Sequence, residues 1–176
     1  YNIDHFITDD EYLNISRSEL FITDIDISYN SENQQCILFS STINGSGAVG
    51  LYTERPVDRW IELSDTDLGW IECDPLAISF SPNFSQDNLI FTVTAPEGSE
   101  TAKLQTMILD EAWNDDYKTG LMYDTASGPL EPIEDIDDAY IAFPDDYAAG
   151  NSIRNNVFVG LHSSSSSGVN DIYHIS

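Results

Sequence analysis

Residues 77–93 read AISFSPNFSQDNLIFTV, which predicts a strand, a turn and a second strand. Both ends of this stretch are short runs of β-branched and aromatic residues, the composition typical of buried strands. Pro82 and Asn83 lie between the two runs. Both residue types favour turns, because Pro fixes φ and Asn hydrogen-bonds its own backbone. The stretch therefore predicts a β-hairpin.

The hairpin pattern recurs before and after itself. An earlier copy runs over residues 25–41 and a later copy over residues 140–161. Aligning Tyr29, Phe80 and Phe143 gives spacings of 51 and 63 residues. Self-similarity at about 40 to 50 residues, built from short strands, is typical of propeller blades.

Further strands follow each hairpin. Trp60 lies nine residues after Leu51. Trp113 lies nine residues after Leu104, so each tryptophan is predicted to open a fourth strand. Four strands make up one propeller blade. The third strands are predicted at residues 50–53, 103–106 and 171–174.

The fold class predicted from these repeats is all-β, with about three four-stranded antiparallel propeller blades. Since propellers have about four to eight blades, three cannot close a ring, and an arc of a larger propeller is favoured. In the alternative, the N-terminal strand completes the last blade. The chain starts at Tyr1 and is expected to be part of something longer. Residues 1–23 are predicted as outer strands of a preceding or closing blade, 24–64 as blade one, 75–113 as blade two, 114–138 as an acidic connector, and 139–176 as blade three without its outer strand.

The order of these motifs resembles a known family. A strand ending in Ser-Pro-Asn-Phe, then Leu-Ile-Phe-Thr-Val, then Leu-Tyr-Thr, then Trp, is similar to the Asp-box (BNR) repeats of sialidase-like propellers. It especially resembles the propellers of large prokaryotic cell-surface proteins, and the resemblance covers residues 12–176. The family's box, Ser-x-Asp-x-Gly-x-Thr-Trp, has Asp five residues before Trp. Arg55 and Ile108 stand at those places here, so both boxes are degenerate. The resemblance implies an extracellular or cell-surface location.

The chain is strongly acidic, with 31 acidic and six basic residues and a formal net charge of −25. Nucleic acid is excluded as a partner, because phosphate binding needs clusters of Lys and Arg. An anionic membrane surface is disfavoured for the same reason. No apolar run reaches the length of about 18 residues that a membrane helix needs, so no direct membrane insertion is expected. The carboxylates suit cation binding, a saline habitat or a well-solvated exterior.

Two connectors carry carboxylates at the spacing that calcium sites use. Asp65 with Asp67, and Asp135 with Asp137, form Asp-x-Asp steps in predicted loops. Calcium takes six to eight hard oxygen ligands, and such steps supply them. They are candidate Ca²⁺ ligands, with a solvated acidic face as the alternative.

Cys36 and Cys73 leave two readings open. In a cell-surface protein they would pair as a disulfide, which stabilises by about 2 to 4 kcal/mol. Alternatively, both are buried thiols at strand starts. Two cysteines provide no framework pattern that decides between these readings.

Glycans enter as possible modifications and as possible ligands. Three Asn-x-Ser sequons lie at predicted strand ends or turns, where a glycan reaches solvent. Trp70, beside Gly69 in a connector, is a candidate exposed contact for a sugar. Trp60 and Trp113 are predicted to pack in the core instead. The sequon residues are Asn14, Asn44 and Asn83.

No catalytic constellation stands out. A glycosidase needs two carboxylates at a set separation, and 31 acidic residues hide any such pair. A sialidase-like site also needs an arginine cluster for the substrate carboxylate, and the chain has four scattered arginines. We therefore predict a non-catalytic extracellular module with a structural or adhesive role in a surface layer (S-layer), filament or complex, contacting other blades or chains. The alternative is a carbohydrate-binding or glycoside-hydrolase-like propeller segment.

Overall fold

The structure is a computed structural model, and it describes residues 20–43, 46–53, 59–70, 73–95, 102–114, 120–121, 136–164 and 170–175. The all-β fold class is confirmed, because these residues form three antiparallel sheets and little helix. Within each sheet, every strand pairs with the strand next to it along the chain.

Sheet one contains four strands: β1 Leu20–Tyr29, β2 Gln35–Ile43, β3 Ser46–Thr53 and β4 Arg59–Glu62. Sheet two contains β5 Asp74–Phe80, β6 Leu89–Ala95, β7 Lys103–Ile108 and β8 Gly120–Leu121. Sheet three contains β9 Asp138–Ala142, β10 Val157–His162 and β11 Asp171–Ile175.

The turn between β5 and β6 contains a one-turn helix that the sequence analysis did not predict, α1 Phe84–Asp87. The Asp87 carboxylate holds it by accepting from the Ser81 hydroxyl at 2.6 Å and from the Leu89 backbone N–H at 3.0 Å. Asn88 ends it with a left-handed φ of 53°. Polar side chains that bond to nearby backbone thus shape this turn.

The fourth strand of sheet two differs from the expectation. Trp113 forms an isolated bridge to Met107, and the paired strand is β8. Asn114, directly after Trp113, has a left-handed φ of 65°. That conformation cannot continue a strand, so the ladder ends there. In sheet one, Trp60 does lie in β4, opposite Tyr52.

The three sheets stack face to face in chain order. One buried cluster joins sheets one and two and includes Leu38, Leu51, Ile78 and Phe80. A second cluster joins sheets two and three through residues such as Phe91 and Val159. Sheet two is therefore covered on both faces, as its nearly continuous apolar strands require.

Candidate functional site

The first strands of the three sheets, β1, β5 and β9, border a shared groove of about 440 Å³. β5 lies in the middle and contacts both β1 and β9. Polar side chains from all three strands line the groove, and none of them was a candidate site residue in the sequence analysis. They include Asp24, Asp26, Ser79, Asp138 and Tyr140.

Two carboxylates of β1 bridge to the edge of β5. Asp24 Oδ2 accepts from the backbone N–H of Ile78 at 3.0 Å. Asp26 Oδ2 accepts from the backbone N–H of Phe80 at 2.8 Å and from the Ser79 hydroxyl at 3.0 Å. These N–H groups lie on the edge strand of sheet two, so the carboxylates satisfy donors that the ladder leaves open.

Asp138 and Tyr140 form the third side of the groove. The Tyr140 hydroxyl donates to Asp138 Oδ2 at 2.7 Å. This hydrogen bond and the negative charge of Asp138 raise the pKa of Tyr140, because a carboxylate disfavours the phenolate. The pair is exposed, and the tyrosine stays protonated at neutral pH.

The groove has a clear electrostatic character. Among the described residues that line it, there is no Lys or Arg. A sialidase-like site would need such a cation to hold the substrate carboxylate. Arg154, whose position is described, lies elsewhere and is 3.7 Å from Asp146. The groove therefore suits a neutral or cationic ligand rather than an anionic sugar.

The candidate calcium ligands lie apart from the groove. Asp65 precedes a 3₁₀ turn over Thr66–Leu68, and its Oδ1 accepts from the backbone N–H of Asp67 at 2.9 Å. That is a capping role, and both carboxylates are exposed. Among the described residues, no group of three or more His, Cys, Asp or Glu side chains is placed to hold a metal ion. Calcium binding stays a prediction.

Of the second candidate calcium pair, Asp135 and Asp137, the structure describes Asp137. Asp137 accepts hydrogen bonds from Ser164, and these lower the pKa of its carboxyl. Its own backbone N–H donates to His162 O at 2.9 Å. Asp137 thus ties the start of β9 to the end of β10. Asp135 lies outside the described residues.

Cys36 and Cys73 are both buried thiols and do not form a disulfide with each other. This is the arrangement of the second interpretation, and the pairing itself stays a prediction. The Cys36 Sγ lies 3.8 Å from the Gln34 carbonyl. Burial raises the pKa of the Cys36 thiol, so it is protonated at neutral pH.

Of the sequon residues, only Asn83 is described, and Asn14 and Asn44 lie outside the described residues. Asn83 Nδ2 donates to the backbone carbonyl of Tyr147 at 2.6 Å, which links sheet two to the loop after β9. N-glycosylation would have to replace the other hydrogen of Asn83 Nδ2, and this side chain is half-buried. Its use as an acceptor stays a prediction.

The structure corrects the prediction that Trp70 is exposed. It is 4% exposed, and its ring contacts Trp113 edge-on at a centroid distance of 5.0 Å. Trp113 in turn donates from Nε1 to the Leu63 carbonyl at 2.7 Å. The expected exposed position is wrong, because the connector folds back over the core between sheets one and two. Trp113 is buried, as predicted.

The outer face of sheet one is apolar and partly exposed, since Phe39 and Tyr52 on this face are 3% and 6% exposed. Ile27 is 54% exposed and Tyr29 is 53% exposed. Their aligned counterparts in sheet two, 51 residues later, are Ile78 and Phe80, which are 3% and 4% exposed. These positions are paired by the repeat alignment alone. That alignment was the sequence signal that could have pointed to the outer face of sheet one.

A scan against protein-family models and searches of curated proteins and of solved structures found no match for this chain. The resemblance to Asp-box repeats therefore stays a prediction. Across the described part of the chain, no helix is long and apolar enough to span a membrane.

Proposed function

We propose that the three sheets are successive blades of a propeller arc. Three observations support this: each sheet is a simple meander, the first strands lie side by side around one groove, and the sheets stack in chain order. The repeat alignment adds a fourth. In all three sheets an isoleucine and an aromatic residue, two positions apart, stand at aligned positions, and in sheets two and three they pack toward the preceding sheet. These pairs are Ile27 with Tyr29, Ile78 with Phe80, and Ile141 with Phe143.

The chain acts, in this proposal, as a non-catalytic extracellular module with a structural or adhesive role in a surface layer, filament or complex. The observation that carries it is the exposed apolar pair Ile27 and Tyr29, whose counterparts are buried between sheets. Their aligned counterparts pack against another sheet, and this supports a contact with a partner at the same positions of sheet one. The extracellular placement is supported by the family resemblance, and the net charge of −25 suits a well-solvated exterior.

A second candidate function is favoured by one observation. Tyr140 and Asp138 form a hydrogen-bonded pair in a groove, and sialidases use a tyrosine nucleophile. The raised pKa of Tyr140 opposes that role, because a nucleophile needs the phenolate. The described lining also holds no cation for an acidic sugar. A neutral glycan ligand suits the groove better than a hydrolase reaction does.

The test combines turnover with binding. The purified chain is incubated with fluorogenic glycosides, sialosides included, and separately with cell envelopes of the source organism. We expect no turnover and saturable envelope binding. Ile27→Glu should weaken that binding at least about tenfold, since it places a charge on an apolar contact surface. Ile153→Glu is the matched control, since Ile153 is an exposed isoleucine in the loop between β9 and β10.

Two results would count against the proposal. Turnover that Tyr140→Phe abolishes, with the fold intact by circular dichroism, would identify a hydrolase. Absence of envelope binding by the folded chain would remove the adhesive role.

A further inference from the structure

We draw no further inference here: the strongest candidate, the acidic groove bordered by β1, β5 and β9, belongs to the site already described, and its carboxylates Asp24, Asp26 and Asp138 already accept hydrogen bonds within the chain, so nothing in the structure shows which ligand it would take.

Discussion

The inner and outer faces of sheet one carry similar side chains in different surroundings. The inner face, with Leu38 and Leu51, is buried against Ile78 and Phe80 of sheet two. On the outer face, Ile27 and Tyr29 are half exposed, whereas Phe39 and Tyr52 are buried. Residue type alone therefore does not tell which face is covered. Among the described residues, what separates the two faces is the cover that sheet two gives the inner one.

The largest expected change in the free energy of unfolding comes from truncating two aligned aromatic residues, Phe80 in the buried junction and Tyr29 on the outer face of sheet one. Phe80→Ala should destabilise the chain by about 3 to 5 kcal/mol, because it opens a cavity between sheets one and two. Tyr29→Ala should cost less than about 1 kcal/mol, because that ring is half exposed in the isolated chain. Urea denaturation at dilute, low-salt conditions measures both. Equal losses for the two variants would contradict the assignment of inner and outer faces.

A smaller effect should follow from removing the carboxylates that bridge between first strands. Asp26→Ala leaves the Phe80 backbone N–H without its acceptor, which costs about 1 to 3 kcal/mol, while the Ser79 hydroxyl keeps the Phe80 carbonyl as an acceptor. Asp138→Ala is the matched control on the uncovered sheet and should cost under about 1 kcal/mol, since water can replace its bonds. Thermal unfolding measures both variants. A larger loss of stability in Asp138→Ala than in Asp26→Ala would contradict the role of Asp26 in joining sheets one and two.

A third pair of variants compares two glycines. Gly69 lies in the connector that covers the junction between sheets one and two, and Gly150 lies in a loop of sheet three. Gly69 has a φ of 79°, and an added Cβ would lie 3.0 Å from the Trp113 carbonyl oxygen. Gly69→Ala should therefore cost about 1 to 2 kcal/mol. Gly150→Ala, in a loop of sheet three where a Cβ meets nothing within 4 Å, should change stability by less than about 0.5 kcal/mol. Denaturant midpoints compare the two, and a harmless Gly69→Ala would contradict the close approach to Trp113.

The smallest expected effect concerns acid sensitivity at the rim of sheet three. Hydrogen bonds from Ser164 lower the pKa of Asp137 below its ordinary 3.8 in the folded chain. Its contribution to stability is therefore present above that ordinary value and is lost as pH falls through the lower folded value. Because the carboxylate is exposed, the effect should be slight. An NMR titration of the Asp137 side chain measures the pKa. A folded value at or above 3.8 would contradict the bonding to Ser164.

The hairpins could be predicted because their signals are local. Strand composition and turn residues lie within the 17 residues of 77–93, and the repeat supplied the sheet count. The covered position of Trp70 could not be predicted, because its partner Trp113 lies 43 residues away and meets it only when the sheets stack. Asp24 and Asp26 were hidden for another reason. With 31 acidic residues, no spacing distinguishes a bridging carboxylate from a solvated one.

The central claim is that the first strands of sheets one and two are joined through the carboxylates of Asp24 and Asp26. Amide hydrogen exchange at Phe80 tests it most directly, because that N–H donates to Asp26 rather than to its own sheet. We expect slow exchange in the wild type and fast exchange in Asp26→Ala, with core amides of β6 unchanged in both. Exchange at the unprotected rate for Phe80 in the wild type would contradict the account.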